Sequence, residues 1–378
     1  MKKSLIALAA LAAVGTASAQ SSVTLSGIIK GGVAVTQYRN GPIGTTTNGS
    51  GWAVQDGSSR FIISGTEDLG GGLKGLFQID TRFRVDDNGG APSSSPLAGG
   101  NTFVGLGGGF GTFSIGKRDT HYCLGSDRHG SLATAQQASS CGLLGYVNVG
   151  GAGVNQAIAN TSRSVNVVRY DTPNFAGFSG SASISPNFQG SEGPVGDRGK
   201  GNAYNLALNY ANGPITVGGS YWNADSENRA TGAAKSDQRA YTLTGAFQFG
   251  PVNVGLTWDR SEVNTGLVDV SDTKTKRDAW SIPVTFQLGN GTLLATYTDA
   301  RKAKVGGTTI GDSGAWLASV GYSYSLSKRT SVGISFAYLN NKSNAAYQLY
   351  TQTSLGGLSN ALVGQDQRQL YLGVRHAF

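Results

Sequence analysis

Two sets of residues in this chain have chemistry beyond what a fold requires. The first is small: Cys123 and Cys141, the two cysteines, with His121 and His129 nearby. Thiolates and imidazoles are zinc ligands, but this spacing matches no regular zinc pattern. Two cysteines in an exported chain can form one disulfide. Closing residues 124–140 into a ring would restrict the unfolded chain by about 3 kcal/mol in the entropic account. A disulfide is therefore expected, with metal binding or two free thiols as the alternatives. Catalysis is hard to assemble. His376 completes the three histidines, and none accompanies a serine-nucleophile motif. Gly105–Gly111 is as glycine-rich as a nucleotide loop, but no helix follows, so a turn is the better reading.

The second set is basic. Lys30, Arg60, Lys74, Arg82, Arg84, Arg118, Arg169 and Arg375 fall on the polar side of alternating segments. Asp80 shares that side, and Asp119 and Asp127 lie in the irregular stretch that follows. A guanidinium stays charged at any working pH and its planar fork fits carboxylate and phosphate. Such groups break no bonds; they bias which ions approach.

The elements that must position them are strands. From Leu73 to Val85, Leu73, Phe77, Ile79, Phe83 and Val85 share one face, and Lys74, Gln78, Asp80, Arg82 and Arg84 the other. The same alternation predicts strands at Val23–Val35, Arg60–Thr66, Leu73–Val85, Asn101–Leu106, Thr112–Arg118, Val165–Thr172, Phe178–Ser185 and Ala203–Tyr210. It continues through Ile215–Trp222, Arg239–Phe249, Val252–Arg260, Trp280–Leu288, Thr292–Asp299, Ala315–Leu326, Ser331–Leu339 and Gln367–Phe378. Seven short turns alternate with eight longer loops, at 38–56, 86–99, 119–163, 187–201, 224–238, 261–276, 302–313 and 340–366.

Sixteen strands of roughly ten residues in this rhythm are the signature of an antiparallel transmembrane β-barrel. At ~3.3 Å per residue a tilted ten-residue strand crosses the apolar layer, and only closure removes the unpaired edges. Apolar residues then face lipid and polar ones water, the inverse of a soluble sandwich. Tyr170, Tyr210, Trp258, Trp280 and Tyr371 suit the interfacial girdles.

Composition agrees. The chain has 58 Gly against 9 Pro, with 15 Tyr and 14 Phe, which favours strands and tight turns. Lys2 and Lys3, an apolar run and Ala17-Ser18-Ala19 mark residues 1–19 as an export leader too short to span a membrane. The barrel domain is then 20–378. The formal charge of +8 permits acidic partners. No nucleic-acid motif appears, and no cofactor is expected.

Several stretches resemble the general porins of Gram-negative bacteria. Ser59-Arg60-Phe61 followed by Gly65–Lys74 is similar to their first hairpin. Val104-Gly105-Leu106, Gly109–Phe113, Gly116-Lys117-Arg118 and Arg169–Phe178 match later strands. Gly373–Phe378 resembles the terminal strand read by the barrel-assembly machinery, with Phe378 as the signal. The resemblance implies a homotrimer of sixteen-stranded barrels among outer-membrane lipid and lipopolysaccharide, with short periplasmic turns, long external loops and a third loop, here 119–163, folded inward. It implies passive diffusion of small hydrophilic solutes and no enzyme activity. Third loops of the family often carry several carboxylates; this one has Asp119 and Asp127, and its cysteines depart from the pattern.

With the basic set on the lumen wall, weak to moderate anion selectivity is expected. One cation ~8 Å from an anion contributes ~0.5 kcal/mol in water, cut about threefold by salt, so five give about 1 kcal/mol, or about fivefold. A receptor or adhesin acting through long loops such as 340–366 is the rival reading, and a barrel hydrolase is a more distant one.

Overall fold

The computed structural model describes residues 22–41, 49–86, 97–120, 139–149, 154–157, 163–186, 201–225, 234–267, 269–349 and 362–378. The leader, His121, Cys123, Asp127 and His129 lie outside the described residues.

The strands are β1 (Ser22–Arg39), β2 (Gly49–Asp56), β3 (Arg60–Gly70), β4 (Leu73–Arg82), β5 (Thr102–Gly108), β6 (Gly111–Asp119), β7 (Tyr146–Val149), β8 (Val154–Ala157), β9 (Arg163–Asp171), β10 (Phe178–Pro186) and β11 (Asn202–Asn212). They continue as β12 (Ile215–Asp225), β13 (Ala234–Phe249), β14 (Val252–Leu267), β15 (Ser271–Leu288), β16 (Gly291–Ala300), β17 (Lys304–Val305), β18 (Thr308–Thr309), β19 (Ala315–Ser325), β20 (Thr330–Asn341) and β21 (Asp366–Ala377).

Each barrel strand pairs antiparallel with its neighbours, and β21 closes on β1 from Ile28↔Ala377 to Arg39↔Asp366. The result is a closed sixteen-stranded antiparallel barrel. One wall position is shared: β2 pairs with the far half of β1 and β3 with its near half. Side chains satisfy the break between them. The Asp56 carboxylate accepts the Ser58 and Ser59 N–H groups, and Ser59 Oγ bonds both ways to the Lys30 backbone. β7 and β8 form a separate hairpin, and β17 and β18 a small one on the outer end of β15.

The alternation places apolar residues outside. Val104, Ile115, Leu208 and Leu372 are each 60% exposed or more, as a lipid-facing surface requires. Aromatic pairs mark two belts. Phe113–Tyr170 and Phe178–Tyr210 lie toward the short turns, and Trp258–Trp280 and Trp316–Tyr338 toward the longer connections.

Three expectations need correction. Gly49–Asp56, expected as loop, is a strand held by β1. Ser261–Lys276 is not a loop either: β14 and β15 continue as a ladder to Leu267↔Ser271, so this connection is short and the wall is tall there. Their polar composition hid the extension, because strands beyond the membrane need no apolar face. Tyr371 is no girdle residue: it is 1% exposed and points inward, on the face of Gln367 and Gln369. Gly32 and Gly373 make room for its ring, since a Cβ on either would fall 2.6 Å and 2.4 Å from it.

Candidate pore wall and its infolded straps

Pairing on β3, β4, β6 and β9 decides the lumen charge. Register puts Arg60 directly opposite Arg82. Two guanidiniums side by side repel, and Arg82 resolves this by turning to Asp80 on its own strand, 2.8 Å away, and to Ser58 Oγ. The Asp80–Arg82 pair is buried beneath the segment ending at Gly100. A Cβ at Gly100 would fall 2.0 Å from the Asp80 carboxyl carbon, so only glycine lets the segment lie this close. Arg60 makes no ion pair with any described residue.

Farther round the wall, β6 and β9 meet at a bulge. Gly116 pairs with Val167 and Arg118 with Ser164, so Lys117 faces two residues, and Asn166 there adopts φ +55. Arg118 donates to Ser114 Oγ, reaches Asp171 at 3.3 Å and lies 4.1 Å over the Phe103 ring. Arg169 pairs with Asp171 at 2.6 Å and donates to the Asp119 carbonyl. Arg163 pairs with Asp119, whose carboxylate also accepts from Asn101.

The remaining expected residues are dispersed. Lys30 is buried on β1, its stem against Gly57. Lys74 is exposed by the turn, opposite Asp68, well away from the others. Arg84 lies past the end of β4 and pairs with Asp86 at 2.9 Å. Phe378 closes the seam, exchanging backbone hydrogen bonds with Gly27.

The opposite wall is different. Inward positions of β15, β16, β19 and β20 are small or apolar: Ala279, Ala300, Ala315, Leu317, Ala337 and Leu339 are all buried. Two segments cover them from inside. Leu143 and Leu144 come from the third connection, and Ala345, Tyr347 and Leu349 from the last one. The first strap begins with a 3₁₀ turn at Ser140–Gly142, capped by Ser139 Oγ, and β7 lies against β14 and β15. Its Gly145 N–H donates to Asp259. That carboxylate also takes Arg277 at 2.9 Å and the hydroxyls of Thr242 and Ser261. The last strap is tied by Asn341, which bonds the Tyr347 and Gln365 backbones, and by Gln367, which accepts from Leu349 N–H. Cys141, buried in the first strap, is disulfide-bonded.

A closed sixteen-stranded barrel, lipid-facing outside and strapped within, has a counterpart among known proteins. The family model of the Gram-negative porin matches residues 5–344. This chain belongs to the Gram-negative porin family. Outer membrane porin protein 32 of Delftia acidovorans is 31% identical over 399 residues, covering 100% of both chains. Major outer membrane protein P.IB of Neisseria meningitidis is 29% identical, covering 90% of this chain and 93% of its own. The solved structure of an anion-selective porin from Comamonas acidovorans superposes with a TM-score of 0.75 at 25% identity, covering 95% of this chain and 100% of that one. This porin is therefore an outer-membrane β-barrel and a diffusion channel, not an enzyme.

Sequence reasoning missed four residues that organise this porin's interior. Asp259 had a signal: it alternates with Thr257 and Ser261 on the polar face of β14. Arg277 fell just past the expected loop 261–276 and before the expected strand at Trp280. Arg163 and Asp171 are the two ends of β9; Asp171 has Arg169 as a partner on its own strand, but only the register across β6 brings Arg118 to Asp171 and Asp119 to Arg163.

Proposed function

We propose that the channel passes small hydrophilic solutes with a weak preference for anions, through the space between the straps and the charged wall. One observation carries this: Arg60, Arg82, Arg118, Arg163 and Arg169 stand against Asp80, Asp119 and Asp171, and Arg60 has no ionic partner among the described residues. Three carboxylates against these five guanidiniums leave two of them unbalanced. By the same Coulomb estimate they contribute about 0.4 kcal/mol, or about a twofold preference, at physiological salt. The anion selectivity of the Comamonas acidovorans porin is in line with this sign.

In this reading three such barrels assemble in the membrane, as in the trimer form of OmpT, an outer membrane protein of Vibrio cholerae. Lipopolysaccharide surrounds them, and Phe378 is the residue read by the assembly machinery. A Cys123–Cys141 bond holds the first strap, and residues 1–19 are removed on export. Reversal potential across a planar bilayer in a potassium chloride gradient tests the selectivity. The expected anion-to-cation permeability ratio is about two; a ratio below one would overturn the reading.

A further inference from the structure

Phe103 breaks the pattern of the wall it stands in. On β5 the outward positions are Val104 and Leu106, 62% and 49% exposed, so Phe103 and Gly105 face the lumen. Phenyl rings are among the side chains most often buried, and such departures gather at functional sites. The ladder keeps the space around this ring clear. Phe103 pairs across it with Gly116, whose φ is +147 and whose Cβ, if present, would fall 2.8 Å from the Phe103 Cα. The next inward position on its own strand is Gly105, opposite Ser114. Into that space comes the Arg118 guanidinium, 4.1 Å from the ring centroid.

Arg118 is held chiefly by groups that carry no charge. Its Nη1 donates to Ser114 Oγ at 2.8 Å, and the ring covers one face of the fork. Its ion pair to Asp171 is long, 3.3 Å, whereas Arg169 takes both oxygens of that carboxylate at 2.6 to 3.0 Å. Asp119, next along the chain, is committed elsewhere. Asn101 donates to its carboxylate at 2.8 Å and accepts from its N–H at 2.7 Å, and Arg163 pairs with it at 3.1 Å. Asn101 stands two residues before Phe103, so one short segment ties Asp119 to Arg163 and seats Arg118.

We propose that Phe103 is a positioning residue for charge selection: it holds Arg118 short of close pairing with Asp171, which makes Arg118 the second unbalanced cation beside Arg60. The ring's quadrupole attracts a cation without a compensating unit charge, so the guanidinium keeps its field. Closed onto a carboxylate, it would become half of a dipole, whose pull on a passing anion fades faster with distance. Without the ring, Asp171 is the attractive partner within reach, and the wall loses most of one cation's influence. This assignment rests on the proposed charge preference of the wall and names a residue that sets it.

Reversal potentials of the purified full-length porin in planar bilayers test it, in a gradient of about 10 to 30 mM potassium chloride. Screening there is weak enough for one wall cation to be worth about twofold in the permeability ratio. F103L keeps the bulk but removes the ring face, and should lower the anion-to-cation ratio about twofold. F103Y should retain the parent's ratio. R118Q should lower it by the same factor as F103L, and F103L added to R118Q should change nothing more. Discrete single-channel steps show that a variant barrel is folded, and F103M carries the same test if F103L forms no channels. The proposal is overturned by a parent-like ratio in F103L, by an F103L effect that persists in the R118Q background, or by an R118Q variant that selects like the parent. A cation-preferring parent defeats the anion reading alone, because the Phe103 effect is a difference between variants.

Discussion

The two halves of the lumen are made from the same alternating strands, yet one is ionic and the other is dry. On β3 to β9 the inward positions carry guanidiniums that keep water around them. On β15 to β20 they are mostly alanine, serine, threonine and leucine, with one buried cation, Arg277, neutralised by Asp259, and two infolded straps cover them. The difference teaches how a porin narrows its passage from one side. Small inward residues leave room for Leu143, Leu144, Tyr347 and Leu349, each of which gains ~1.5–3 kcal/mol by leaving water. The ionic half offers no such seat, because covering an unpaired guanidinium costs several kcal/mol. Asp80–Arg82 is covered there only because the two charges are paired.

The contrast can be broken at one buried ion pair on the dry side. Arg277 and Asp259 have side chains 0% and 3% exposed and hold the first strap through Gly145. Arg277→Ala leaves a buried carboxylate alone, which should lower stability by about 3–5 kcal/mol in denaturant unfolding and raise single-channel conductance as the strap loosens. Replacing both residues by Met and Leu should recover most of the stability. If Arg277→Ala unfolds and conducts like the parent, the pair does not anchor the strap.

The straps themselves come next. Leu143→Ala should cost about 2–4 kcal/mol through the cavity it leaves and also increase conductance, whereas the same change at outward Leu208 should move neither by much. On the ionic side, Gly100→Ala should cost about 1–3 kcal/mol, since its Cβ falls on the Asp80 carboxyl. A neutral result there would mean that the segment over Asp80 and Arg82 is loosely held.

Smaller still is the effect on selectivity. Arg60→Glu changes the wall by two charges, about 0.4 kcal/mol, so the permeability ratio should fall about twofold toward unity. The equivalent change at Lys74, beside the turn, should leave the reversal potential where it was. Smallest of all is a pH effect at Asp86. Burial alone would push its carboxyl up, but hydrogen bonds, from Arg84 first, hold it below the usual range. A depressed carboxyl stabilises above its unfolded value. That contribution should therefore fade as pH drops below about 4, and an Asp86→Asn variant should lose the acid-dependent component of stability.

Much of this was legible because it is local. Alternation along each strand is a property of neighbouring residues, and it gave sixteen wall positions, the lipid-facing side and the seven short turns. Parity even contained the answer for Tyr371, which shares its face with Gln367 and Gln369. It could not show that Gly32, far away on β1, leaves space for the ring. Nor could it show which charges cancel. Arg82 finds Asp80 two residues away, but Arg118 finds Asp171 and Arg163 finds Asp119 only across a bulged ladder.

The amino-acid order, read with its family resemblance, therefore determined that this chain closes into a barrel with water inside and lipid outside: a period of two is shared with a soluble sandwich, and the rhythm of strands, short turns and long loops with the matching motifs separates the two. Which side of the lumen stays ionic, how few of its cations remain unbalanced, and that a second strap from 345–349 joins the first were settled only by the tertiary structure. Those outcomes depend on register between strands distant in sequence and on the shape of the space that remains once the wall has closed.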